Sequence, residues 1–75
     1  MNVSVFGLGY VGCVSATGLA RAGHRVVGVD VVAEKVTMIN AGTAPVVEPG
    51  LGDLLARLVA DGRLSATTSA DDALR

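Results

Sequence analysis

The sequence predicts an α/β domain built on a parallel sheet, and three observations carry that prediction. Short β-branched runs alternate with segments of helical periodicity, the pattern of strands joined by crossover helices. The run "RVVGVDV" at residues 25–31 is almost continuously apolar, as a parallel strand covered on both faces requires. Glycines stand where the helical patterns end, at Gly23, Gly42 and Gly62.

Taken in order, Val3 to Phe6 form a first strand that ends at Gly7. From Tyr10 the period changes: Val11, Val14, Gly18, Leu19 and Ala22 recur at helical intervals, and Gly23 caps the helix. After the second strand, "AEKVTMINAG" is a short helix with Val36 and Ile39 on one side and Gly42 as its stop. "TAPVVEPG" is a loop, and Pro49 suits the first position of a third helix, where its missing N–H has no partner. There Leu51, Leu54, Leu55, Leu58 and Val59 repeat at i, i+3, i+4, i+7 and i+8, so one face is buried. "RLSATTS" is a third strand, more polar and therefore nearer a sheet edge. Ser69 is an N-cap for a last helix, with Asp71 and Asp72 in its first turn at the positive end of the dipole. The order β-α-β-α-α-β-α with right-handed crossovers gives a 3-2-1 sheet, the first half of a doubly wound Rossmann dinucleotide-binding fold.

Composition narrows the function. With 51% hydrophobic residues and a net charge of −1, the chain has the makeup of a globular interior. Aromatics at 3% leave no surface for stacking bases, and no basic patch is present, so nucleic acid is not an expected partner. Cys13 is the only cysteine, which excludes an internal disulfide and points to a reducing, cytoplasmic setting. Residues 1–20 carry no charge and raise the question of a membrane span. The first cation, Arg21, follows that stretch instead of preceding it, and glycine, serine and threonine dilute it. A strand followed by a tightly packed helix accounts for the missing charge, and no membrane role is expected. At 75 residues the chain is short even for one domain and reads as part of one.

The chemistry lies in "VFGLGYVGCV". Gly7, Gly9 and Gly12 form G-x-G-x-x-G where the first strand turns into the first helix. Gly7 permits the tight turn, Gly9 leaves room for a pyrophosphate, and Gly12 lets the helix approach the strand. The N–H groups of Tyr10, Val11 and Gly12 then point at the phosphates, aided by the helix dipole. Asp30 ends the second strand at the distance, about 20 residues on, where a carboxylate accepts hydrogen bonds from the adenosine ribose. A carboxylate there repels a 2′-phosphate, so NAD is the expected cofactor. Lys35 falls in the first turn of the next helix and by itself reads as a solvated surface lysine.

With these residues placed, the chain resembles the N-terminal region of the UDP-glucose/GDP-mannose dehydrogenase family. "FGLGYVG", "AGHRVVGVD", "KVTMIN.G" at residues 35–42, "P.VEPGL" at residues 45–51 and "GRLSATT" carry the resemblance in family order. "FGLGYVG", "GVDV" and "VVEPGL" are most similar to the members that oxidise GDP-mannose, with the UDP-glucose members next. The resemblance implies an NAD-dependent oxidoreductase of polysaccharide biosynthesis that converts the C6 alcohol of a nucleotide sugar to a carboxylate in two NAD reductions. A cysteine elsewhere would hold the aldehyde-level intermediate. On matching positions it places Tyr10 and Val11 against NAD at the glycine turn, and Asp30 and Lys35 on the adenosine ribose.

By the same resemblance, residues 1–75 are a partial N-terminal NAD-binding domain. The family's fourth strand, its dimerising helix, its sugar domain and its catalytic cysteine lie beyond Arg75, and a homo-oligomer is expected when these are present. Alone, the 75 residues are expected neither to catalyse nor to form a stable monomeric dinucleotide site. Cys13 is read as a structural buried thiol, His24 as a turn residue and Glu48 as a charge at a helix N-terminus. A stand-alone nucleotide-binding module without catalysis is the competing reading.

Overall fold

The computed structural model describes residues 1–73. Along them run β1 (Asn2–Phe6), α1 (Tyr10–Arg21), β2 (Arg25–Val29), α2 (Ala33–Asn40), α3 (Leu51–Ala60), β3 (Leu64–Thr67) and α4 (Ala70–Ala73). The strands form one parallel sheet in the order β1-β2-β3, so β2 is central and the expected 3-2-1 arrangement is met.

Strand register decides what each face carries. Val3 pairs with Val26 and Val26 with Leu64, while Val5 pairs with Gly28 and Gly28 with Ala66. These residues share one face, because side chains alternate along a strand. There they meet Cys13, Ala16 and Ala20 of α1, Ile39 of α2, and Leu51, Leu55 and Leu58 of α3 in a single core. Ser4 and Val27 point to the other face, where α4 lies: the Ser4 hydroxyl donates to the Ala73 carbonyl at 3.1 Å. Ser69 caps α4 as expected, its Oγ accepting from the Asp72 N–H at 3.3 Å.

The helix stops follow one rule. At the end of α1, Gly23 adopts φ +106°, its N–H donates to the Ala20 carbonyl and the His24 N–H donates to the Leu19 carbonyl. This is the Schellman pair, which uses carbonyls that the helix itself leaves unpaired. The same two bonds close α2 at Gly42 and Thr43, and α3 at Gly62 and Arg63. At the β3 edge, which pairs with no other strand among the described residues, Asn40 supplies the partners. Its amide donates to the Ala66 carbonyl and accepts from the Ala66 N–H, both at 2.9 Å.

Two expectations need correction. The series Val11, Val14, Gly18, Leu19 and Ala22 is not the core face of α1: all but the half-buried Leu19 are exposed, and α1 buries Cys13, Ala16, Thr17 and Ala20 instead. The helix approaches the sheet so closely that small side chains fill the gap, and Thr17 returns its hydroxyl to the Cys13 carbonyl at 2.8 Å. Pro49 is not the first residue of α3. Glu48-Pro49-Gly50-Leu51 form a separate turn, with Gly50 at φ 80°, ψ −14° and the Leu51 N–H donating to the Glu48 carbonyl at 3.0 Å. That is a type II turn, which takes proline and glycine at its two central positions. The left-handed glycine stops the helix from extending back to the proline.

Candidate functional site

The site grows from the end of β1. Gly7 turns the chain at φ +87° and donates its N–H to the Val29 carbonyl at 2.7 Å, tying the turn to the end of β2. Gly12 makes the close approach possible: a Cβ there would lie 1.8 Å from the Gly7 carbonyl oxygen. Gly9 is the N-cap of α1 in extended conformation, and a Cβ on it would meet nothing within 4 Å. The three glycines thus do separate things. One turns the chain, one admits the helix, and one leaves open space over the helix N-terminus.

That N-terminus has no competing partner of its own. No side chain caps α1 and no acidic residue lies in its first turn. The Cys13 N–H is bonded to the Gly9 carbonyl at 2.9 Å, so the N–H groups of Tyr10, Val11 and Gly12 precede the first helical bond. They concentrate the positive end of the helix dipole where an anion binds best. Val11 is strongly exposed beside them.

Asp30 follows β2 directly and faces the turn. Its Oδ2 accepts from the Leu8 N–H at 2.7 Å and its Oδ1 from the Val32 N–H at 2.8 Å. The Leu8 bond, then the Val32 bond, hold the carboxyl below the usual aspartate range; partial burial opposes them, and Lys35 adds the smallest lowering. Lys35 Nζ lies 3.8 Å from Oδ2 with its side chain 36% exposed, an ion pair that water weakens. Each carboxylate oxygen accepts two hydrogen bonds, so Asp30 keeps one unused acceptor position per oxygen. Beside it, Phe6, Gly7, Val29, Asp30 and Val31 line an open cavity of about 220 Å³, and Phe6 and Val31 present exposed apolar surface at its rim. An open helix N-terminus, a carboxylate with unused acceptor positions and an apolar rim thus lie side by side.

All the sequence-predicted site residues, Gly7, Gly9, Tyr10, Val11, Gly12, Asp30 and Lys35, gather at this carboxyl end of the sheet. Sequence reasoning missed Phe6, Leu8, Gly28 and Val31, which shape the site through contacts between distant residues. It also misjudged Glu48. This residue stands in the type II turn, not at the start of α3, and its Oε2 accepts from the Tyr10 hydroxyl at 2.6 Å. That bond, and then the carboxylate charge, raise the phenol pKa and keep Tyr10 protonated. Cys13 is buried and unpaired, and burial pushes its thiol pKa up, the opposite of an activated nucleophile. His24 sits at the α1 stop, as expected of a turn residue.

A parallel sheet with a glycine turn, an open helix N-terminus and an acidic residue after the second strand defines a dinucleotide-binding domain. Residues 1–75 match the UDP-glucose/GDP-mannose dehydrogenase family, NAD binding domain, and the chain belongs to that family. It is 57% identical over 74 residues to GDP-mannose 6-dehydrogenase of Azotobacter vinelandii, covering 99% of this chain and 17% of that protein. UDP-glucose 6-dehydrogenase of Bacillus subtilis is 42% identical over 74 residues, with the same coverage of both chains. Among solved structures, a ternary complex of GDP-mannose dehydrogenase from Pseudomonas aeruginosa superposes with a TM-score of 0.94 at 52% identity, over 97% of this chain and 17% of that one. A UDP-glucose dehydrogenase from Pyrobaculum islandicum gives 0.88 at 50% identity, over 96% and 17%. The chain therefore spans about one sixth of the length of the relatives it matches.

Proposed function

We propose that residues 1–75 are the NAD-binding start of a nucleotide-sugar 6-dehydrogenase that oxidises the C6 alcohol of GDP-mannose to a carboxylate. The observation that carries the cofactor half is the Asp30 carboxylate standing beside the open N-terminus of α1. In this reading the N–H groups of Tyr10, Val11 and Gly12 bind the pyrophosphate, and Gly7 and Gly9 give the backbone access to it. Asp30 accepts from the adenosine ribose hydroxyls, Lys35 lies against the same sugar, and Phe6 and Val31 flank the base. Asp30 also rejects a 2′-phosphate by charge, which selects NAD over NADP. Bound there, NAD supplies the hydride acceptor. Cys13, buried with its thiol pKa raised, takes no part in the chemistry, and the groups that hold and activate the sugar belong to other parts of the enzyme. Among the described residues, no helix is long and apolar enough to cross a membrane. We assign the enzyme to the cytoplasm, to polysaccharide biosynthesis and to a homo-oligomer, without nucleic acid or membrane partners.

GDP-mannose is favoured by the 57% and 52% identities to enzymes named for it. UDP-glucose is the second reading, supported by the 50% identity to the Pyrobaculum enzyme. Following NADH release by the complete gene product with each nucleotide sugar separates them. GDP-mannose should be turned over with two NADH per sugar. Turnover confined to UDP-glucose transfers the assignment to the second reading, and no turnover with either leaves a nucleotide-binding module without catalysis.

A further inference from the structure

Gly28 lies near the end of the central strand, buried and outside the dinucleotide fingerprint. It is nonetheless the residue on which the fingerprint rests. Leu8, between Gly7 and Gly9, sends its side chain inward, where it is fully buried. It settles directly over Gly28: a Cβ on that glycine would lie 2.6 Å from Leu8 Cδ2 and 3.0 Å from Cδ1. The next two residues hold the same turn by its backbone. The Val29 carbonyl accepts from the Gly7 N–H at 2.7 Å, and the Asp30 carboxylate accepts from the Leu8 N–H at 2.7 Å.

We infer that Gly28 is a positioning residue for dinucleotide binding, acting through Leu8; the inference rests on the NAD reading of this turn. Gly28 and Val29 at the end of β2 and Asp30 directly after it fasten the turn at three points, by a notch, a carbonyl and a carboxylate. A methyl group in the notch leaves Leu8 no room, because the core around it is close-packed. Leu8 then moves outward and takes its own N–H with it. The displacement reaches both halves of the site at once, since that N–H bonds the carboxylate that faces the ribose and its neighbour Gly9 begins the phosphate cradle. The clash is with the end of a side chain, not with backbone, so the expected outcome is a folded protein with a lifted turn.

The test is NAD titration by calorimetry on the complete gene product, with thermal unfolding measured without NAD alongside. Gly28→Ala should weaken NAD about tenfold, about 1.4 kcal/mol of binding free energy. Adding Leu8→Ala should bring the affinity back toward that of the unsubstituted protein, because removing the isopropyl end of the side chain frees the notch. A residue with a purely structural role would lower the unfolding temperature, leave NAD affinity alone and show no such rescue. Unchanged affinity in Gly28→Ala, or effects of the two substitutions that simply multiply, would overturn the inference. Should Gly28→Ala fail to fold, recovery of folding and NAD binding by the double variant supports it, and a double variant that also fails overturns it. An unsubstituted protein that does not bind NAD rejects the underlying cofactor reading instead.

Discussion

Helices α1 and α3 pack on the same face of the sheet and against each other, yet they bury opposite kinds of residue. Helix α3 buries Leu51, Leu55 and Leu58, a wide leucine stripe that supplies core volume. Helix α1 buries only Cys13, Ala16, Thr17 and Ala20 and leaves Val11 and Val14 in solvent. The difference follows from Gly12, which brings α1 against the turn at a distance no side chain tolerates. Closeness is what the site requires, because only a helix starting at the strand end can aim its first N–H groups over the carboxyl edge of the sheet. One helix is built for volume and the other for proximity.

Substitution in each helix should therefore fail in a different way. Leu55→Ala removes a fully buried side chain and should lower stability by ~2–5 kcal/mol, while the protein that remains folded keeps its NAD affinity. Gly12→Ala should cost ~1–3 kcal/mol by overpacking and also weaken NAD severely, because the clash is with the Gly7 backbone. Urea unfolding paired with NAD titration checks both variants. Equal loss of affinity in the two would erase the distinction between the helices.

The contrast also explains what could be read in advance. The strand–turn–helix setting of the glycines was legible because the period changes abruptly at Tyr10, and the α3 stripe because charged residues such as Asp53 and Arg57 mark its other side. The buried face of α1 was not legible. Its exposed and buried positions are both small or apolar, so no polarity contrast marks the core side. Pro49 was misplaced because proline is equally at home at the first position of a helix and at the second of a type II turn. The seat of Leu8 on Gly28 and the Asn40–Ala66 bonds join residues far apart in sequence, which local pattern does not encode. The sequence offers Asp30 as a ribose acceptor, while its bond to Leu8, which supports the turn, appears only in three dimensions.

The backbone bonds to Asp30 predict a smaller effect with a definite sign. The Asp30 carboxyl is held below its ordinary value in the folded protein, so its ionised form stabilises the fold above the unfolded pKa of ~3.9. The contribution disappears as pH falls from there through the lowered folded value. Stability of the unsubstituted protein should thus drop more steeply on acidification through that window than stability of Asp30→Asn, as read by urea unfolding at a series of pH values. Parallel pH profiles would contradict the two backbone bonds as the cause of the lowering.

The carboxylate beside the glycine turn is tested most directly by the affinities of the complete gene product for NAD and NADP, with and without Asp30→Asn. NAD should bind more tightly than NADP by tenfold or more, about 1.4 kcal/mol in favour of the cofactor without the 2′-phosphate. Asp30→Asn should narrow that preference, since the neutral amide repels no phosphate. Equal affinities for the two cofactors, or a preference that survives the substitution intact, would contradict the assignment of Asp30 to the ribose.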